Sequence, residues 1–135
     1  MRRLIALALA LTVVACGSDD STAPSNSSIA GTWSLQTING SPLPFTLAPA
    51  PTKIEILSAT AIINSNGTWT SSSQTRTTLG TQAPTTTTET DNGTYTISGS
   101  TIALRSSDGT VESGTISGNT FTQVESGFTF VFKKQ

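Results

Sequence analysis

At 135 residues, with seven Lys+Arg against eight Asp+Glu and a formal net charge of −1, the chain has the size of one domain and lacks the basic excess that nucleic acid binding needs. The absence of His excludes imidazole metal sites, Ser–His catalysis and histidine pH switching, and a single Cys excludes an intrachain disulfide or a multi-cysteine zinc site. Ser and Thr together supply 45 residues, 26 of them Thr, and this composition favours strands over helices because β-branched side chains lose less freedom on a pleated surface.

The first element is an address. Met1-Arg2-Arg3 is a short basic start, and Leu4 to Ala15 is an apolar run interrupted only by Thr12. As a helix its twelve residues would span about 18 Å, well short of the roughly 30 Å hydrocarbon core of a bilayer. Its proportions are those of a signal-peptide hydrophobic region. The run ends Val13-Val14-Ala15-Cys16, which resembles the bacterial lipobox: branched apolar, branched, small, then Cys. That resemblance implies cleavage before Cys16, a diacylglycerol on its thiol and acylation of the new amine. Several acyl chains on one residue anchor stably, at about 0.8 kcal/mol per buried CH₂.

Residues 1–15 are therefore expected to be a lipoprotein signal peptide, with Cys16 the lipid attachment site. Residues 16–28 have few apolar side chains to pack and are expected to form a flexible tether. Loss of Arg2 and Arg3 leaves five basic against eight acidic residues. By resemblance to the familiar lipoprotein sorting rule, Gly17 and Ser18 directly after the Cys favour the outer membrane, facing the periplasm.

From residue 29 onward alternation replaces any helical stripe. Candidate strands are 31–38, 53–64 (with a possible break near Ser58), 67–79, 84–91, 93–98, 101–106, 110–117, 119–125 and 127–134. They are divided by tight-turn signals at Ser65-Asn66-Gly67, Asp91-Asn92-Gly93, Ser107-Asp108-Gly109 and Ser117-Gly118-Asn119. Eight or nine strands joined by short turns make an antiparallel meander, since parallel neighbours require long crossovers. Closure of the meander would abolish its exposed edges. Between Ile38 and Pro51, Asn39-Gly40 is followed by Pro42, Pro44, Pro49 and Pro51, which excludes central strands. A long loop is expected there, crossing one end of the barrel and pinned by Leu43, Phe45 and Leu47. The Thr-rich stretch Thr75 to Thr90 is expected to be a hairpin with hydroxyls on both faces. Ile97-Ser98-Gly99-Ser100-Thr101-Ile102 recurs as Ile116-Ser117-Gly118-Asn119-Thr120-Phe121, one hairpin turn used twice.

Alternation puts Trp33 with Leu35, Ile54 with Ile56, Tyr95 with Ile97, Ile102 with Leu104, and Phe128 with Phe130 and Phe132 on shared faces. With Trp69 and Phe121, these rows make the candidate ligand-facing interior. Trp33 and Trp69 are expected chiefly as core or floor packing. No constellation for catalysis stands out: there is no base for a hydroxyl nucleophile, no lysine in a recognisable motif and no glycine-rich phosphate loop. Glu89 with Asp91, and Asp108 with Glu112, are paired carboxylates in principle, but are expected to be solvated surface charges. No metal and no cofactor is expected.

The opening Gly31-Thr32-Trp33, continued through Asn39-Gly40-Ser41-Pro42-Leu43-Pro44, resembles the start of small bacterial lipocalin-like lipoprotein domains. The cadence Asn66-Gly67-Thr68-Trp69, Gly93-Thr94-Tyr95-Thr96-Ile97 and Phe128 to Phe132 is similar too, and the resemblance covers about residues 29–134. It implies an up-and-down barrel whose floor is closed by Trp33. The cation that caps this Trp in the family would be Arg76 or Arg105, with no motif to select between them. The expectation is a non-enzymatic membrane-anchored domain, residues 29–135, binding a small apolar or amphipathic molecule. The alternative is a structural or interaction module of the cell envelope with a filled interior. Protein partners are not specified by the sequence.

Overall fold

A computed structural model describes residues 24–135. The expected signal peptide, Cys16 and the first part of the tether lie outside the described residues.

The body is a single antiparallel sheet of ten strands: β1 (Gly31–Ile38), β2 (Ser41–Pro42), β3 (Phe45–Ala48), β4 (Thr52–Ile63), β5 (Thr68–Leu79), β6 (Thr85–Ser98), β7 (Thr101–Ser106), β8 (Val111–Ser117), β9 (Thr120–Glu125) and β10 (Phe128–Lys134). From β4 to β10 each strand pairs with the next in sequence. β10 pairs with β1, and Gly31 to Ser34 of β1 pair with Thr60 to Ile63 of β4. The ladder therefore returns on itself, and eight strands form a closed barrel. Meander and closure are as the alternation and the resemblance implied.

At one end, α1 (Asn26–Ile29) plugs the barrel. Ser25 caps it, its hydroxyl accepting from the Ser28 amide while the Ser28 hydroxyl accepts from the Ser25 amide. Residues 26–28, expected in the tether, thus belong to the folded body. Ile29 is buried, and its carbonyl accepts the Trp33 indole N–H at 2.9 Å. Lys134 Nζ donates to the Ser28 carbonyl at 2.8 Å, tying the last strand to the plug.

Three other expectations are corrected. The loop from Ile38 to Pro51 contains two short strands. Asn39 and Gly40, both with positive φ (51° and 77°), make the tight turn that folds β2 onto the end of β1. β3 adds to the free margin of β4, pairing Phe45 with Ile56, so Leu43 and Phe45 pack against the core as expected while Leu47 stays largely exposed. Second, Asp91-Asn92-Gly93 is no turn: β6 runs through it in register with β5 from Thr68–Thr94 to Thr77–Thr85. Gly93 is there for proximity. A Cβ at this position would lie 1.9 Å from the Arg105 carbonyl oxygen. Third, two bulges invert the alternation. One lies in β1 between Leu35 and Thr37, the other in β4 between Ile56 and Ser58, where the sequence suggested a break. Beyond them Ile38, and Ala59, Ala61 and Ile63, turn inward, while Ile62 points to solvent.

Candidate functional site

The barrel interior divides along its axis. Near α1 it is solid: Trp33 and Ile102 have no exposed surface, and Ile63, Tyr95 and Ile116 are buried around them. Phe121 meets the Trp33 ring edge-to-face with centroids 6.3 Å apart and stacks on Phe132 at 5.5 Å. The polar tips in this region are all satisfied. Trp69 Nε1 donates to the Thr94 carbonyl at 3.0 Å, and the Tyr95 hydroxyl donates to the Asn64 carbonyl at 2.6 Å. Burial raises the Tyr95 pKa. Arg76 does not cap Trp33: it faces outward and binds Glu55, and Arg105 is exposed. The indole partner is instead the carbonyl of Ile29, from a segment carrying no motif.

Toward the other end the interior opens into a cavity of about 430 Å³. Of the thirteen side chains in the expected interior rows, seven line it: Leu35, Ile56, Trp69, Leu104, Phe121, Phe130 and Phe132. Trp33, Tyr95 and Ile102 lie in the packed core beneath, and Ile97 packs against that core. Phe128 sits at the rim, edge-to-face with Phe45 at 6.0 Å, and half-buried Ile54 does not reach the cavity.

The wall is asymmetric. β9 and β10 contribute Phe121, Phe130 and Phe132, while β5, above Trp69 at the base, contributes Ser71, Ser73 and Thr75. Such hydroxyl-bearing positions carried no sequence signal separating them from the many solvent-facing Ser and Thr. Ala59 and Ala61 were hidden by the β4 bulge.

Of the four carboxylates expected to be solvated, Glu89 and Asp108 are exposed, whereas Asp91 and Glu112 are half-buried at the cavity. Glu89 and Asp91 on β6, Glu112 on β8 and Glu125 on β9 all line the cavity toward its open end. They share inward parity with the buried Tyr95, Ile116 and Phe121 of their respective strands. Asp91 is held by the Ser106 hydroxyl and by the Asn92 amide, each donating at 2.7 Å. Glu112 accepts from Nε2 of Gln123, itself buried. Burial, and then the charge of Glu112, raise the Glu125 pKa above the ordinary glutamate value. Asp108 is exposed in the β7–β8 turn, with its pKa lowered by the hydrogen bond it accepts from the Thr110 amide at 2.8 Å. Among the described residues no three acidic or sulfur side chains come together as a metal-binding group.

A different acid serves the outer face. Glu55 pairs with Lys53 at 2.7 Å and with Arg76 at 2.8 Å, and hydrogen bonds from these two cations lower its pKa.

An eight-stranded up-and-down barrel, sealed at one end by a helix and a buried tryptophan and open at the other into a cavity, is the architecture of small-molecule-binding barrels. Residues 29–123 match the family model described as a lipocalin-like domain, and the chain belongs to that family. No curated protein matches the sequence.

Proposed function

We propose that the protein is a lipid-anchored binding module of the cell envelope, held through Cys16 at the outer membrane, whose barrel takes up a small amphipathic molecule without transforming it. The observation that carries the binding function is the cavity. About 430 Å³ lies within the range of small-molecule sites, and its wall sets apolar and aromatic side chains beside hydroxyls, the Gln123 amide and four carboxylates, the amphipathic lining that an amphipathic molecule needs. A filled interior, on which the alternative of a structural module depends, is at odds with this space.

Carboxylate-pair hydrolysis is the competing function, because Glu112 and Glu125 border the same cavity. Binding is preferred because Glu112 already carries the Gln123 amide and Asp91 the Ser106 hydroxyl, which suits a fixed recognition surface.

The test is a plugged barrel. Half-buried Ala59 lines the cavity, and Ala59→Trp fills part of it. Native mass spectrometry of the wild type is expected to reveal co-purified small molecules that the plugged variant lacks at unchanged circular dichroism. Equal ligand content in both, or release of a product on incubation, would overturn the proposal.

A further inference from the structure

We infer that the cavity selects cationic amphiphiles, molecules with an ammonium head on an apolar body; this rests on the cavity being the binding site proposed above. The cavity defines the site, and the charges around it decide what enters.

The described residues include six carboxylates, and four of them border this one cavity. No basic residue balances them there. Lys53 and Arg76 are committed to Glu55 on the outer face. Arg105 is exposed on the outward parity of β7, Lys133 reaches the Thr120 hydroxyl, and Lys134 is bonded to Ser28 at the sealed end. Every described cation therefore lies away from the cavity wall.

The acids come from β6, β8 and β9, within one contiguous half of the barrel wall, so their negative potential is concentrated on that side of the mouth. An enclosure with apolar walls beside such an arc focuses the field and raises the local concentration of cations. An anionic amphiphile, such as a fatty acid, would bring its carboxylate toward four others. A neutral one would leave the arc uncompensated. An ammonium head placed between Glu112 and Glu125 offsets the repulsion between these two carboxylates, and its chain runs down to Trp69, Leu104 and Phe121. An organic cation suits the arrangement better than a bare metal ion, because the carboxylates are distributed over three strands with no three gathered into a chelating group among the described residues.

The test uses the full chain carrying Cys16→Ser, which removes the proposed acylation without touching the barrel. Octylammonium, octan-1-ol and octanoate are titrated by calorimetry at low salt. Octylammonium is expected to bind at least about tenfold more tightly than octan-1-ol, equivalent to ~1.4 kcal/mol, with octanoate the weakest. Added salt should narrow the differences. Glu112→Gln with Glu125→Gln is expected to reduce the preference severalfold at unchanged melting temperature, and adding Glu89→Gln and Asp91→Asn to abolish it. Octan-1-ol or octanoate binding as tightly as octylammonium overturns the charge selectivity while leaving the cavity a binding site. A preference that survives the substitutions does the same. Failure of all three probes to bind overturns both the selectivity and the binding function.

Discussion

Trp33→Ala tests the sealed end of the barrel most directly. The side chain has no exposed surface, touches Phe121 edge-to-face and donates its indole N–H to Ile29 at 2.9 Å. Removing a buried aromatic of this size costs about 3–5 kcal/mol through lost burial and the cavity left behind. Loss of the donor leaves the Ile29 carbonyl without its indole partner, a cost of about 1 kcal/mol or more that Trp33→Phe shares while giving up only part of the packing. A domain of this size holds roughly 5–15 kcal/mol in total, so the alanine variant forfeits a large share. At about 4 °C per kcal/mol, melting followed by far-ultraviolet circular dichroism should fall by about 12–20 °C for Trp33→Ala and about 4–8 °C for Trp33→Phe. Hydrogen exchange at the Ile29 and Ala30 amides should rise in both variants, because the indole pins the plug. An alanine variant melting with the wild type would show that the tryptophan does not close the floor.

Three further outcomes follow from single features. Gly114→Ala should destabilise by about 1–3 kcal/mol, since its Cβ would fall 2.2 Å from the Phe121 ring and 2.7 Å from the Thr122 carbonyl oxygen; an unchanged denaturant midpoint would refute the close packing of β8 on β9. Cys16→Ser should block metabolic labelling with a fatty acid and release the protein from membranes, whereas an unlabelled, freely soluble wild type would refute the anchor. The third concerns pH. Because the folded pKa of Glu55 lies below its unfolded value, its contribution is present above the ordinary glutamate range and lost as pH falls through the lowered value. Glu55→Gln should therefore flatten the acid limb of melting temperature against pH, and parallel wild-type and variant curves would contradict it.

Much of the barrel was legible because period-two alternation states which side chains share a face. Trp33 with Leu35, Ile102 with Leu104, and Phe128 to Phe132 needed no more than counting. Reading failed where one residue type serves two purposes. Asn92-Gly93 has the composition of a hairpin turn, but glycine is required there because the Arg105 carbonyl passes too close for a side chain, and the long ladder with β5 holds the segment straight. Bulges add a residue without changing composition, so Ile38 and Ala59 gave no sign of facing inward. Asp91 and Glu112 were misjudged for a related reason. A charged residue in a strand is usually solvated, and whether its face is inside or outside depends on closure, which pairs Gly31 to Ser34 with a strand some thirty residues away. Depth along the axis was invisible as well. Ile102 and Leu104 share a face, but Ile102 is sunk in solid packing and Leu104 borders the cavity.

The helix at Asn26–Ile29 also sets where any stem joins the molecule. The chain enters at the blind end, opposite the cavity mouth. The ten residues from Cys16 to Ser25 make nine Cα steps, at most about 30 Å. A protein moored by acyl chains at Cys16 would thus be held by its base, like a cup on a short and pliant stem, leaving its brim open to the aqueous compartment and to cargo arriving by diffusion through water.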